Sequence, residues 1–331
     1  MTISFSRLAA VAVTALIVLP ITWSAALAQT AASARQSTSD AWWTGPMLAN
    51  SASTLPRGHV LVEPYFYDVS TVGAFGTNGD HHSTPHAHAY GSLAYIIAGV
   101  TDRLAAGFVP TVGYNTIENA PSSSRLQLGD VSLLAQYGLT RFHEGSPVPS
   151  IAVSFQETFP TGKYDRLGER AADGSGSGAH TSTVAIYSQT YLWLPNGRIL
   201  RVRLNGSESF SSRATVSDES VYGTDAGFRG TAAPGSTTFL DLAAEYSLTK
   251  RWVLASDVTY RHARNTTVTG TSPSLSRVAF GSGSSDAINV APAVEYNLNS
   301  NVGVLFGVRI VAAGWNTSST ITPAIAINVV H

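Results

Sequence analysis

"TTFLDLAAEYSL", residues 237–248, alternates between two kinds of side chain. One set of alternate positions is apolar and comprises Leu240, Leu242, Ala244, Tyr246 and Leu248. The other set carries the polar residues Asp241, Glu245 and Ser247, together with Phe239 and Ala243. Because successive side chains of a β-strand point to opposite faces, this period of two predicts a strand with one apolar and one polar face.

The same alternation recurs along most of the chain in segments of about ten residues, the length that a tilted strand needs to cross a bilayer. Twelve such segments lie near residues 58–68, 88–100, 103–114, 126–140, 149–159, 180–194, 198–210, 237–249, 251–264, 286–298, 301–311 and 319–331. They predict an all-β fold of about 12 antiparallel strands.

The connections between these segments fall into two length classes that alternate along the chain. Short connections lie near residues 101, 195, 249 and 299, with a somewhat longer one at 141. Long connections cover 69–87, 115–125, 160–179, 211–236 and 265–285. A soluble β-sandwich has no reason to collect its long loops at one end, whereas a bacterial outer-membrane barrel has short periplasmic turns and long extracellular loops. The pattern predicts a transmembrane, antiparallel up-and-down β-barrel in the outer membrane of a Gram-negative cell.

Aromatic residues on the apolar faces lie close to the strand ends. Those next to short turns are Tyr137, Tyr246, Trp252 and Tyr296, and those next to long loops are Phe66, Tyr114 and Tyr260. Two such girdles are typical of membrane barrels, whose amphipathic rings prefer the two membrane–water interfaces.

The first 28 residues have the form of a secretory signal peptide. Arg7 is the only charge before an apolar run, and the small residues Ala26 and Ala28 precede the expected cleavage site. The sequence therefore predicts three parts: a signal peptide at 1–28, a periplasmic N-terminal segment at 29–57 and the barrel at 58–331. Export and strand pattern together predict that outer-membrane lipid and the barrel-assembly machinery are partners.

The composition excludes several other kinds of protein. Cysteine is absent, so neither a disulfide framework nor a thiolate ligand is available. The formal net charge is −1, which leaves no basic surface for nucleic acid. Charged residues make up only 12% of the chain, about half the usual share in globular proteins.

The N-terminal segment contains the tandem tryptophans Trp42 and Trp43 and shows little periodicity. It either folds inward as a plug whose tryptophans contact apolar solutes, or it remains a periplasmic tail whose aromatic rings rest at the interface. We expect the N-terminal segment to be a periplasmic tail, because this alternative needs no further assumption.

If the apolar faces meet lipid, the polar faces line the interior. The residues predicted to line the pore are Glu63, Asp130, Gln136, Gln156, Arg201, Arg203, Asp241, Glu245, Asp257, Arg261, Glu295 and Arg309. Charges of both signs in a narrow lumen select solutes, or they pair across the lumen and close it, since twelve strands enclose little space. Arg201 and Arg203 precede a strand with Asp241 and Glu245, so arginine–carboxylate pairs between these neighbouring strands are expected.

Three stretches resemble the outer-membrane β-barrel family named for the MetA pathway of phenol degradation. They are "TGPMLANSASTLPRGHVLVEPYFYD" at 44–68, "GDVSLLAQYGLT" at 129–140 and "FPTGKYD" at 159–165. Members of this family are generally described as transporters. The resemblance implies an outer-membrane channel or transporter that passes small-molecule solutes, including hydrophobic or aromatic compounds, without a cofactor.

Two other classes of function stay open on the residues alone. One is a barrel enzyme that hydrolyses lipids or peptides, for which His59, His180 and His262 near strand ends supply candidate bases. No serine lies in a Gly-x-Ser-x-Gly motif, and we expect no catalytic residues. The other class is a structural or adhesive surface protein that works through its long loops.

The first long connection holds "NGDHHSTPHAHAY", residues 78–90. Its four histidines, His81, His82, His86 and His88, are metal-ligand types, but nothing in the sequence fixes their geometry. We expect a solvated loop that gains charge in acid rather than a metal site.

Overall fold

The computed structural model describes residues 35–331, and the predicted signal peptide lies outside the described residues. The strands are β1 (Val60–Phe75), β2 (His81–His82), β3 (Ala87–Gly99), β4 (Leu104–Val109), β5 (Thr111–Ile117), β6 (Gln127–Leu128), β7 (Val131–Thr140), β8 (Ser150–Phe159), β9 (Thr181–Trp193), β10 (Ile199–Ser211), β11 (Ala214–Ser217), β12 (Arg229–Ala233), β13 (Thr237–Ser247), β14 (Trp252–Ala263), β15 (Thr267–Thr271), β16 (Arg277–Gly281), β17 (Ser285–Asn297), β18 (Val302–Trp315) and β19 (Thr317–Val330). Two 3-10 helices cover Thr38–Asp40 and Ala171–Asp173. No helix in this part of the chain is long and apolar enough to cross a membrane.

The long strands form one closed antiparallel barrel. Each pairs with its neighbour along the chain, and β1 pairs with both β3 and β19, which closes the cylinder. Strands β4 and β5 together occupy one strand position of the barrel. Pro110 separates them, because proline has no N–H to donate to the ladder. The predicted twelve-stranded antiparallel barrel is confirmed.

The two faces of the wall follow the sequence alternation. Leu240 is 47% exposed on the outside, whereas its neighbour Asp241 is 1% exposed on the inside. The same contrast separates Phe66, 51% exposed, from the inward-facing Glu63 and Tyr65. An apolar outer band around a polar interior is the arrangement of an outer-membrane barrel, which places the protein in the outer membrane.

The long connections contain more structure than the expected loops. Strands β11, β12, β15 and β16 form a separate four-stranded sheet at the extracellular end. Val216, Phe228, Ala232 and Val268 are buried in its core. These strands are only four or five residues long, too short for a periodic pattern to identify them. The sixth extracellular connection, between β18 and β19, consists of Asn316 alone, which adopts φ +52°.

Candidate functional site inside the barrel

The periplasmic half of the interior contains a buried cluster of two arginines and a glutamate. Arg201 and Glu245 are direct partners in the β10–β13 register. Arg201 Nε donates to Glu245 Oε2 at 2.7 Å, and its Nη2 donates to Oε1. Arg203 Nε lies 3.1 Å from the same Oε2. The arginine–carboxylate pairing expected from the sequence is therefore present, and one carboxylate faces two guanidinium groups.

The N-terminal segment enters this interior. The backbone N–H of Trp42 donates to the carbonyl of Lys250 in a short turn at 3.0 Å. Further along, the N–H of Thr44 donates to Glu295 Oε2 at 2.6 Å. Asp257 accepts from the N–H groups of Met47, Leu48 and Ala49, at 3.0, 3.3 and 3.0 Å. We call residues 42–51 the inner segment.

Side chains of the wall also bind the carbonyl groups of the inner segment. Arg203 Nη1 donates to the carbonyl of Ala49 at 2.6 Å, and Asn205 Nδ2 donates to that of Asn50 at 2.9 Å. From β7, three strands further around the barrel, Gln136 Nε2 donates to the carbonyl of Ser51 at 3.0 Å. Because an irregular segment has no ladder of its own, these wall groups satisfy its backbone.

The two tryptophans point to different environments. The ring of Trp42 lies at the periplasmic rim, with Lys250 Nζ 5.0 Å from its centre. The ring of Trp43 lies inside, 4.5 Å from the guanidinium of Arg201 and 6.2 Å from the ring of Tyr191. Adjacent side chains of an extended chain diverge, so the two rings lie in different environments.

Glycines and alanines make room for the inner segment. A Cβ at Gly303 would collide with Thr44 Oγ1, and one at Gly307 would stand 3.2 Å from Met47 Sδ. Met47 itself is buried against Leu305 and Ala291. These small residues on the inner faces of β17 and β18 allow the segment to lie directly on the wall.

Two cavities occupy the remaining interior. The periplasmic cavity has a volume of about 290 Å³ and is lined by residues 43–51 and 53–56 together with Leu61, Glu63, Tyr65, Tyr95, Ile97, Ala105, Gln136, Arg201, Arg203, Asn328 and Val330. The extracellular cavity has a volume of about 580 Å³, and its lining includes Tyr67, Asn115, Asp130, Val221 and Tyr222. Both cavities therefore border β1 and β3.

The structure places the residues predicted to line the pore in three groups. Glu63, Gln136, Arg201 and Arg203 border the periplasmic cavity. Asp241, Glu245, Asp257 and Glu295 are at most 1% exposed on the inner faces of their strands. Arg261 and Arg309 lie near one another in the extracellular half, with Arg309 Nη2 3.4 Å from Thr322 Oγ1, and Gln156 Nε2 donates to Ser132 Oγ at 3.1 Å.

The sequence reasoning missed the inward-facing tyrosines. Tyr65 and Tyr95 both line the periplasmic cavity, with ring centres 6.1 Å apart in an edge-to-face arrangement. The phase of the alternation contained this signal, because Tyr65 follows Glu63 by two residues and so shares its face.

Asp130, at the extracellular end of β7, has its carboxylate occupied by a loop. Its Oδ1 accepts from the N–H of Gly162 at 2.9 Å, and its Oδ2 accepts from the N–H and hydroxyl of Ser177, both at 2.8 Å. The "GDV" and "PTGKYD" motifs therefore contact each other. Asp130 lines the extracellular cavity, but its charge organises residues 160–180.

Asp173 connects the same loop to the preceding one and predicts a pH effect. Its Oδ1 accepts from the N–H of Ser124 at 2.7 Å, which is the main reason that the pKa of Asp173 lies below its ordinary value of 3.8. A lowered pKa stabilises the native contact above that ordinary value and loses it as the pH falls through the lowered pKa. We expect the protection of the amides of residues 122–128 against hydrogen exchange, relative to the unfolded rate at the same pH, to fall below about pH 4. In Asp173→Asn the exchange should already be fast at neutral pH; a wild-type rate there would contradict this role.

The described residues contain no histidine cluster for a metal ion, and His88 lacks the geometry of a catalytic triad. In residues 35–331, no three His, Cys, Asp or Glu side chains cluster closely enough to hold a metal ion. His88 Nδ1 faces both Asp68, at 2.9 Å, and Ser70, at 3.2 Å. A serine-hydrolase triad needs the serine at the other ring nitrogen, so this trio lacks the required geometry.

A known outer-membrane structure shares the barrel fold, and two others show weaker similarity. The crystal structure of an outer membrane channel from Pseudomonas putida F1 superposes with a TM-score of 0.65 at 14% identity, covering 86% of this chain and 100% of that one. The translocator domain of the autotransporter NalP from Neisseria meningitidis gives 0.43 at 11% identity, covering 83% and 89%. The Pseudomonas putida toluene transporter TodX gives 0.35 at 14% identity, covering 83% and 90%.

Sequence comparison identifies the family. No curated protein sequence matches the chain. The family model described as "Putative MetA-pathway of phenol degradation" matches residues 70–320, which is most of the barrel and includes both the "GDV" and the "PTGKYD" motifs. The chain belongs to this family of outer-membrane β-barrel proteins.

Proposed function

We propose that the protein is a channel that passes small hydrophobic or aromatic molecules across the outer membrane, with the inner segment as a plug that narrows its lumen. The periplasmic cavity carries the proposal. It combines the aromatic rings of Tyr65 and Tyr95 and the aliphatic Ile97 with charged and polar groups, among them Glu63, Arg203 and Asn328. Aromatic and aliphatic surface beside convergent polar groups is the usual setting of a small-molecule site.

The family description, which refers to phenol degradation, supports an aromatic solute. We propose passage rather than catalysis. Asp257 binds backbone N–H groups of the inner segment and Glu245 binds arginines, so these two carboxylates are occupied by structural contacts rather than available as a general acid or base. The pairing of charges also narrows the lumen, so the free path follows β1 and β3.

Two tryptophan variants on adjacent residues test this path. Ile97 lines the periplasmic cavity, whereas Ile96 pairs with the lipid-facing Val62. In vesicles with a lipopolysaccharide outer leaflet, wild-type protein should accelerate uptake of phenol above the rate of protein-free vesicles. We expect Ile97→Trp to remove most of that acceleration, because the indole fills the cavity, and Ile96→Trp to preserve it.

Uptake by wild-type protein at the rate of empty vesicles would contradict the channel function. Equal uptake by the two variants would contradict the proposed path. Heat-modifiable migration on a gel confirms in each case that the variant forms a folded barrel.

A further inference from the structure

Three histidines on the outside of the barrel each pair with a carboxylate through Nδ1. His88 lies 2.9 Å from Asp68, His262 lies 2.8 Å from Asp286, and His180 lies 3.6 Å from Glu157. We call these three pairs the outer belt. They lie on different parts of the circumference, formed by β1 and β3, by β8 and β9, and by β14 and β17.

The outer belt lies at the extracellular edge of the lipid-facing band. Asp68 follows Phe66 by two residues, Glu157 follows Phe155 by two, and both phenylalanines are about half exposed, at 51% and 50%. Side chains two apart on a strand share a face, so these carboxylates point outward. They stand about 7 Å beyond the phenylalanines toward the long loops, at the level of lipid headgroups.

On one side of the barrel, the pair His262–Asp286 of the outer belt belongs to a continuous row of side chains across five strands. The register joins Glu208, Thr238, His262, Asp286 and Trp315 as successive partners on β10, β13, β14, β17 and β18. Thr238 precedes the exposed Leu240 by two residues, so this row faces outward as well. A tryptophan within a polar row is typical of a membrane interface.

Each pair has the same chemical form. The carboxylate also accepts from a hydroxyl group: from Ser70 at 2.8 Å, from Ser182 at 2.5 Å and from Tyr260 at 2.6 Å. Hydrogen bonds at Nδ1 hold His88 and His262 by one edge, whereas His180 Nδ1 lies 3.6 Å from Glu157 as a looser ion-pair contact. In the described part of the chain, Nε2 of none of the three rings has a hydrogen-bond partner, so this nitrogen is free for an external ligand.

Each of the three histidine rings contacts its own set of neighbouring groups. His88 faces Asp68 and Ser70 from β1 and stacks on Tyr90, with ring centres 5.6 Å apart. His180 faces Glu157 and meets the edge of Phe159. His262 faces Asp286, while Glu208 interacts with both His262 and Arg264. In each pair the carboxylate faces Nδ1, so an acceptor is already present at that edge of the ring.

We propose that the outer belt binds phosphate groups of saccharolipids in the outer leaflet, through the protonated Nε2–H of His88, His180 and His262. Protonation of the histidine ring changes each histidine–carboxylate pair from an anion into a neutral pair. It also makes Nε2 a hydrogen-bond donor that points outward. Hydrogen bonds from a cationic donor to a phosphate oxygen are among the strong ones. Because only the protonated ring carries N–H groups on both nitrogens, binding should be stronger at low pH than at high pH.

Histidine variants at the two ends of the barrel test the proposal. The triple variant His88→Gln, His180→Gln, His262→Gln removes the outer belt. The matched control, His59→Gln, His143→Gln, His331→Gln, changes three exposed histidines at the periplasmic end. Unfolding temperature is measured in nanodiscs that contain bisphosphorylated lipid A or its dephosphorylated form, at about pH 5.5 and about pH 8.

We expect phosphorylated lipid A to raise the unfolding temperature of the wild type and of the control, and to do so more at the lower pH. The triple variant should lose at least half of that rise. An undiminished rise in the triple variant, or an equal rise with dephosphorylated lipid, would overturn the proposal. A rise of the same size with inorganic phosphate in detergent would assign the site to free phosphate and overturn its assignment to a lipid.

Discussion

Replacing the inner segment, residues 42–51, with a glycine–serine linker of equal length is expected to raise the single-channel conductance about threefold or more, because the segment fills one side of a narrow twelve-stranded lumen. The linker keeps the chain length and the connection to β1. It loses Met47 and Trp43, the side chains that occupy the interior. Planar-bilayer recording of the purified protein measures the change.

A point substitution separates loss of the segment from loss of its attachment. Asp257→Ala removes the acceptor of three backbone N–H groups and should give flickering openings toward the conductance of the linker variant. The control is Asp286→Ala, which removes a carboxylate from the outside of the barrel. This variant should retain wild-type conductance. Equal conductance of the wild type and the linker variant would show that residues 42–51 do not obstruct the pore.

Substitution Glu245→Gln is expected to lower the free energy of unfolding by about 3–5 kcal/mol, the usual cost of leaving buried charge unpaired. Glu245 is 0% exposed and faces both Arg201 and Arg203. A neutral amide cannot compensate two guanidinium groups that are themselves buried. Urea titration of the folded fraction in micelles, followed by heat-modifiable gel migration, measures the difference.

The matched control for this substitution is Glu157→Gln. Glu157 lies at the outer surface and accepts a hydrogen bond from Ser182, so the amide should cost less than about 1 kcal/mol there. The double variant Arg201→Met, Glu245→Met should recover part of the stability lost in Glu245→Gln, because it removes one cation together with the anion. Equal stability of Glu245→Gln and the wild type would show that the cluster does not stabilise the barrel.

Much of the fold was predictable from local chemistry. The alternation in 237–248 determined which residues face lipid, so Leu240 and Asp241 lie on the predicted sides. Loop lengths predicted which end is extracellular. The alternation of inward and outward side chains on β1 would also have identified Tyr65 as an inner-face residue beside Glu63. The extracellular sheet of β11, β12, β15 and β16 was not predictable, because strands of four or five residues stay below the length at which a period is visible.

The candidate site, like the fold, was partly predictable from the sequence. The sequence by itself determined the inner face and its charges, because a period of two is a property of neighbouring residues. Only the tertiary structure decided what those charges bind. Asp257 holds the N–H of Met47, and Glu295 holds that of Thr44, pairs separated by 210 and 251 positions in the chain. An aperiodic segment carries no signal of its location, since its backbone hydrogen bonds are satisfied by whichever wall groups the closed barrel brings around it.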